Sequence, residues 1–99
     1  MININFEQKN GVIILNDLEL DENIPLPQQV DLLKEDMLQV EFPLNYVLDV
    51  SWRPSFQVDG KFYIVIIKDS DWDEPLFLVT ADNISELIDK IYLAMELIP

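Results

Sequence analysis

Residues 46–67 read YVLDVSWRPSFQVDGKFYIVII and carry the strongest structural signal in the chain. From Tyr46 to Trp52 every second residue is large and apolar, which is the period of a strand with one buried face. Asp59-Gly60 follows, a pair that is common in tight hairpin turns. Residues 62–67 are apolar at every position, and such a run predicts an inner strand covered on both faces. The stretch therefore predicts a β-hairpin in the middle of a sheet.

The C-terminal third predicts one more strand, at residues 76–80, followed by a helix. Asp82 or Asn83 can cap the start of that helix. Its apolar residues recur at spacings of three and four, at Ile84, Leu87, Ile88, Ile91, Met95 and Ile98. We expect an amphipathic helix of about 15 residues that packs on the sheet.

The N-terminal part gives weaker patterns. Residues 2–7 alternate between apolar and polar, and Asn10-Gly11 precedes an apolar run, so we expect a second hairpin within the first 16 residues. Residues 17–27 mix acids with two prolines and predict an irregular loop. Residues 28–38 place apolar side chains at helical spacing and predict a shorter amphipathic helix. Taken together, residues 1–99 predict a single α+β domain with a mainly antiparallel sheet.

Composition excludes many functions. The 99 residues include 19 Asp and Glu against 6 Lys and Arg, for a net charge of −13, and they include no His and no Cys. Without these two residue types there is no thiol nucleophile, no thiolate metal site and no serine–histidine pair. Paired carboxylates alone are not specific when acids are this abundant. We therefore expect no enzymatic activity, no cofactor and no metal.

The basic residues are scattered singly, so the sequence predicts no direct contact with nucleic acid or with an anionic membrane surface. The apolar runs are far shorter than the roughly 20 residues of a membrane helix. The N-terminus also lacks the basic region and apolar run of a secretory signal. These features predict a cytoplasmic protein.

The densest acidic segment, DSDWDE at residues 69–74, has four acids in six residues. Asp69, Asp71 and Asp73 have the spacing that opens a calcium loop, but Glu74 stands where such a loop needs glycine. Two other interpretations stay open, a solvated hairpin loop and a protein-binding site. The second has support because Trp72 lies among the acids, and interface centres use aromatic side chains rimmed by charge.

A second acidic segment begins at Asp17. Eight acids and one base lie between residues 17 and 41. A net charge of −13 exceeds the magnitude of roughly 2–8 that suffices for solubility, and it opposes compaction. Either the charge serves general solubility, or it attracts a strongly basic partner such as a nuclease. The candidate partner-binding residues are Asp69, Asp71, Trp72, Asp73 and Glu74 in the first segment and Asp17, Glu19, Asp21 and Glu22 in the second.

About half of the chain resembles the small immunity proteins of bacterial contact-dependent growth inhibition systems. The matching features are Trp52 and Pro54 in VSWRP, Gly60-Lys61-Phe62 at the next strand, Trp72 and Pro75 in DWDEPLF, and the closing helix TADNISELIDKIYLAM. The resemblance implies a cytoplasmic protein that binds and neutralises the toxic domain, often a nuclease, that a neighbouring cell delivers. Two alternatives remain, a nucleic-acid-mimicking inhibitor of a basic host protein and an acidic adaptor.

Overall fold

The computed structural model describes residues 2–99, in which five strands form one antiparallel sheet. The strands are β1 (Val12–Asn16), β2 (Leu38–Phe42), β3 (Tyr46–Arg53), β4 (Lys61–Lys68) and β5 (Phe77–Ala81). They lie side by side in chain order. One helix, α1 (Ile84–Met95), follows and contacts β4 and β5. The α+β class and the antiparallel sheet are confirmed.

The hairpin of β3 and β4 forms the middle of the sheet. Its register runs from Tyr46 opposite Lys68 to Arg53 opposite Lys61. The connection is longer than a two-residue turn, because it spans residues 54–60. Neither glycine of the chain has a positive φ, so Gly60 does not adopt the conformation of a tight hairpin turn. The expectation of full cover on both faces of β4 is only partly right. One face is buried, whereas Tyr63 and Val65 on the other face stay half-exposed.

The core lies between the sheet and α1. Alternate residues of β2, β3 and β4 lie on the core face of the sheet, because the side chains of a strand point to opposite faces in turn. Those fully buried are Leu38, Val40, Leu48, Val50, Trp52, Phe62, Ile64 and Ile66. Asn83 caps the helix, as expected, and its side-chain oxygen accepts the Glu86 N–H at 2.8 Å. The helix has 12 residues and is shorter than predicted.

The predicted N-terminal hairpin is wrong. Residues 2–6 form no strand, and Glu7–Lys9 is a single 3₁₀ turn. Asn10 has a φ of 61°, but Gly11 does not adopt the positive φ that the expected tight turn requires at both positions. Instead Phe6 is buried in the core. The strand β1 pairs with β2, a partner that lies more than twenty residues further along the chain.

The shorter helix predicted near residues 28–38 is present only in part, as 3₁₀ turns that end at Leu32. Two 3₁₀ turns cover Leu26–Leu32 and are broken at Gln29, whose φ of −129° is not helical. The Gln29 side chain explains the break, because it accepts the Asp21 N–H and donates to the Asp21 and Ile24 carbonyls at 2.7–2.9 Å. Leu38 begins β2, in which buried Leu38, Val40 and Phe42 alternate with Gln39 and exposed Glu41. The loop predicted for residues 17–27 is confirmed up to Leu26.

Among the described residues, no helix packs on the second face of the sheet, since α1 packs on the core face. Its row of side chains across the middle strands includes Gln39, Asp49 and Val65, which are direct cross-strand neighbours. Ser51 and Ile67 are buried on this face. Among residues 2–99, no helix has the length and apolar character needed to cross a membrane.

Candidate functional site

The acidic loop, residues 69–74, joins β4 to β5, and all six of its side chains are exposed. The loop is held by short main-chain contacts. The Asp71 N–H donates to the Lys68 carbonyl at 3.1 Å, and the Glu74 N–H donates to the Asp71 carboxylate at 3.3 Å. Asp69 and Ser70 have positive φ values of 54° and 62°. The loop therefore has a defined path and presents its carboxylates outward.

A second turn supports this loop. The β2–β3 turn, Pro43–Asn45, lies at the same end of the sheet, and Asn45 accepts the Asp69 N–H through its carbonyl at 3.0 Å. The Asn45 side-chain amide donates back to the Asp69 carboxylate at 3.3 Å. We call residues 43–45 and 69–74 together the sheet tip. These two hydrogen bonds make the sheet tip one connected surface.

Lys68 links the two parts of the sheet tip. Its Nζ donates to the Leu44 carbonyl at 2.6 Å and lies 3.2 Å from a carboxylate oxygen of Asp69. The same ammonium lies 4.8 Å from the centre of the Tyr46 ring. Because these contacts occupy the lysine, it does not neutralise the rest of the loop. Across residues 2–99, none of the ion pairs includes Asp71, Asp73 or Glu74.

Two large apolar side chains stand among these charges. Trp72 is 49% exposed, so its indole is not part of the core. Leu44 is 67% exposed and has a positive φ of 66°, which is uncommon for a residue other than glycine. Beside Leu44's turn lies a shallow cavity of about 170 Å³ lined by Glu41, Phe42, Asn45, Tyr46, Val47 and Ser70. The tip thus combines apolar contact area with carboxylates, as protein interfaces do.

The second acidic segment, residues 17–22, lies elsewhere. It leaves β1 after Asn16, which pairs with Leu38, whereas the acidic loop follows Lys68, which pairs with Tyr46 at the other end of the sheet. The structure therefore places the two predicted segments at opposite ends of the sheet and does not join them into one site.

The acids of the second segment have different surroundings. Asp17 lies 3.9 Å from Lys34, and Asp21 accepts the Asn23 N–H at 2.8 Å. Glu19 and Glu22 are exposed. Leu18 and Leu20, which alternate with these acids along the chain, are buried. The segment therefore packs its apolar residues on the core and turns its carboxylates to solvent.

The calcium interpretation of the acidic loop gains no geometric support. In the part of the chain that the structure describes, residues 2–99, no group of three acidic side chains is arranged to hold a metal ion. Two of the three alternating carboxylates already accept hydrogen bonds from nearby amides. Asp69 accepts from the Asn45 side chain, and Asp71 accepts from the Glu74 N–H.

Sequence reasoning missed Asp49, which lies on the helix-free face of the sheet. The pKa of its carboxyl is raised to about 6, mainly by burial and also by the nearby Asp36 carboxylate, while Arg53 partly opposes the shift. The signal was available, because Asp49 is the one acid in an otherwise apolar stretch of β3. Leu44 and Lys68 were also missed, and their roles depend on the pairing of two loops that the sequence does not show.

No family model, curated protein or solved structure matches the chain.

Proposed function

We propose that this chain is a non-enzymatic binding protein that neutralises a basic toxin domain, in the manner of the immunity proteins that its sequence resembles. The observation that carries the proposal is the sheet tip. There a half-exposed Trp72 stands among three carboxylates that form no ion pair within residues 2–99, and Lys68 is held by the tip itself.

Charge accounts for the encounter. A nuclease domain needs cationic side chains in its cleft to attract phosphate, and a net charge of −13 attracts the same cations. Complementary fields raise association rates by roughly 10- to 1,000-fold, and screening confines the effect to about 8 Å at physiological salt. The carboxylates of Asp71, Asp73 and Glu74 take the place of phosphate groups in this model.

Apolar contacts account for the lifetime of the complex. Surface ion pairs contribute little once formed, typically about 0–1 kcal/mol each. Desolvation of Trp72 and Leu44 supplies more, since aromatic residues at the centre of an interface dominate its binding energy. The turn and loop that carry them are already linked through Asn45 and Asp69, so little conformational entropy is lost on binding.

The direct test is protection. The chain is co-expressed with a candidate toxin domain taken from an adjacent gene, and cell survival is compared with that of cells carrying the candidate toxin alone. We expect survival and a stable complex on size-exclusion chromatography. Equal rates of death would refute the immunity function.

A matched pair of variants locates the interface. One variant carries Asp71→Asn, Asp73→Asn and Glu74→Gln in the sheet tip. Its control carries Glu19→Gln, Glu22→Gln and Asp31→Asn, which remove the same charge from exposed positions away from the tip. The first variant should associate more slowly, with a weaker dependence on salt, whereas the control should retain most of the rate. Equal slowing in both variants would mean that only the total charge matters.

Trp72→Ala distinguishes a contribution to the association rate from a contribution to the lifetime of the complex. We expect an unchanged association rate and a faster dissociation rate, because the substitution removes apolar area and no charge. Full affinity in this variant would place the interface outside the sheet tip. A complex that forms normally without protecting the cell would favour the adaptor alternative.

A further inference from the structure

The helix-free face of the sheet carries a row of direct cross-strand neighbours that crosses all five strands. From β1 to β5 the row consists of Leu15, Gln39, Asp49, Val65 and Leu78. All five side chains are half-exposed or exposed, and Leu78 reaches 56%. Because neighbouring strands lie about 4.8 Å apart, the row is about 19 Å long. Asp49 stands at its centre and is the only charged residue in it.

The surroundings of this row are largely apolar. On the side towards the sheet tip, exposed Val12 and half-exposed Val47 lie on either side of Glu41. On the other side lies half-exposed Tyr63, and the Arg53 guanidinium is 5.3 Å from the centre of its ring. Exposed apolar surface of this kind, with polar side chains at its rim, is typical of protein interaction sites.

The carboxylate of Asp49 has no partner in the described chain. Within residues 2–99 it accepts no hydrogen bond and forms no ion pair. In the same residues no fully enclosed side-chain oxygen lacks a partner, so the oxygens of Asp49 are open to the surface. A half-buried charge without a counter-ion lowers stability, and residues that do so are typical of functional sites.

We propose that the helix-free face docks a partner protein that presents an arginine among apolar side chains, with the guanidinium placed on Asp49. Arginine suits this position better than lysine does, because its planar guanidinium is more weakly hydrated and binds a carboxylate through two parallel hydrogen bonds. The apolar residues of the partner then cover Val65 and Leu78. The net charge of −13 favours a cationic partner. The proposal rests on the sheet face and does not depend on the proposed function.

The surroundings of Asp49 give this docking a distinctive dependence on pH. The pKa of its carboxyl is raised to about 6 by burial and by Asp36, while Arg53 opposes the shift. The other titratable side chains beside it on this face are its diagonal neighbours, Glu41 on β2 and Tyr63 on β4. Because a guanidinium prefers the ionised carboxyl, affinity should be greatest above pH 6 and should decline as the pH falls below that value.

A capped tripeptide with arginine between two leucines is a minimal probe of the face, and the same peptide with glutamine in place of arginine is its neutral control. We expect the arginine peptide, at millimolar concentration, to shift the NMR signals of the Gln39, Asp49, Val65 and Leu78 amides. It should bind roughly three- to tenfold more tightly than the control. Shifts confined to the sheet tip, equal binding of the two peptides, or no shifts at all would overturn the proposal.

A matched pair of variants distinguishes Asp49 from the total charge. Asp49→Asn and Asp31→Asn each remove one negative charge, and Asp31 is exposed and lies outside the sheet. Asp49→Asn should lose both the preference for the arginine peptide and the decline in affinity below pH 6, whereas Asp31→Asn should keep both. Equal weakening in the two variants would show that binding follows net charge alone, and the proposal would then be wrong.

Val65→Arg supplies the guanidinium from the chain itself, since Val65 lies directly opposite Asp49. The pKa of the Asp49 carboxyl, measured by carbon NMR, should fall, and the arginine peptide should no longer bind. Thr80→Arg is the control, because it adds the same charge to the same face opposite Tyr63 and should affect both properties less. Circular dichroism checks that both variants fold. Peptide binding that survives Val65→Arg unchanged would overturn the proposal.

Discussion

The indole N–H of Trp52 donates a 2.8 Å hydrogen bond to the main-chain carbonyl of Gln57, which fastens the β3–β4 loop to the core. The same indole meets the ring of Phe62 edge to face, with 4.7 Å between ring centres and 76° between planes. One side chain therefore serves as a core residue and as the support of a seven-residue loop, residues 54–60.

Trp52→Phe should lower the free energy of unfolding by about 1–3 kcal/mol, because it removes a hydrogen bond and part of a buried side chain. Urea denaturation measures the change. Trp72→Phe is the matched control, since Trp72 is exposed and its replacement should stay within about 0.5 kcal/mol. Similar losses in the two variants would contradict the assignment of Trp52 to the core and of Trp72 to the surface.

Gly60→Ala should destabilise the chain by about 1–3 kcal/mol through crowding. A Cβ at Gly60 would lie 2.6 Å from the Trp52 indole nitrogen and 2.7 Å from the Arg53 carbonyl oxygen. The reason is space and not backbone conformation, since Gly60 has no positive φ.

A double-mutant cycle tests this explanation. In a Trp52→Phe background the indole nitrogen is gone, so Gly60→Ala should cost less there, although contact with the Arg53 carbonyl remains. Additive effects of the two substitutions would show that the alanine does not meet the indole.

Asp49 should make stability depend on pH. The pKa of its carboxyl is raised from 3.8 to about 6, mainly by burial, so the folded chain binds a proton more tightly than the unfolded chain does. The stability that this group contributes is therefore greatest below pH 3.8, the pKa of the carboxyl in the unfolded chain. It declines as the pH rises from 3.8 to about 6, the pKa in the folded chain. Because the carboxylate is only partly buried, we expect a cost of about 1–2 kcal/mol at neutral pH.

Asp49→Asn removes that cost. The variant should be more stable than the parent near neutral pH, and the difference should shrink as the pH falls below about 6. Urea denaturation across this range measures it, with Asp31→Asn on the surface as control. A constant difference at all pH values would show that the effect is not due to ionisation.

Lys68→Met should loosen the sheet tip without unfolding the chain. The substitution removes the hydrogen bond to the Leu44 carbonyl and the ion pair with Asp69. Hydrogen exchange of the Asp69 amide, which donates to Asn45, should become faster, while exchange in β3 and β4 should not. Lys90→Met on α1 is the control. Unchanged exchange at Asp69 would mean that the two loops hold each other without the lysine.

Asn83→Ala should cost about 1 kcal/mol, since it removes the side-chain oxygen that accepts the Glu86 N–H at the start of α1. Asn83→Asp keeps an acceptor at that position and should retain stability. Thermal unfolding compares the two variants, and an equal loss in both would argue against the cap.

The sequence predicts the elements whose partner is near in the chain. Tyr46 to Trp52 alternate, Gly60 lies in the loop that follows, and α1 has a regular apolar stripe with Asn83 before it, so the hairpin and the helix could be placed. The apolar pattern fails to predict an element when the segment that it pairs or packs with is distant in the sequence. Ile2, Ile4 and Phe6 alternate as a strand would, yet they pack against the core without pairing.

The missed strand β2 shows a second reason. Over so short a stretch, Met37 and Leu38 fit a helical stripe as well as Leu38, Val40 and Phe42 fit a strand, and pairing with β3 decides between the two. The candidate site shows the same limit. The acids could be listed from the sequence, but the link from Asn45 to Asp69 and the exposure of Trp72 required the folded arrangement.

The opposed placement of residues 17–22 and 69–74 has a consequence for how a partner approaches. Each segment alone would give the molecule a strong dipole, and at opposite ends the two dipoles partly cancel. A cationic partner is therefore attracted from a distance towards both ends, but only an arrival at the sheet tip leads to a complex. The choice of end is made by contact at close range, because the indole at the sheet tip, Trp72, is exposed whereas Trp52 is buried.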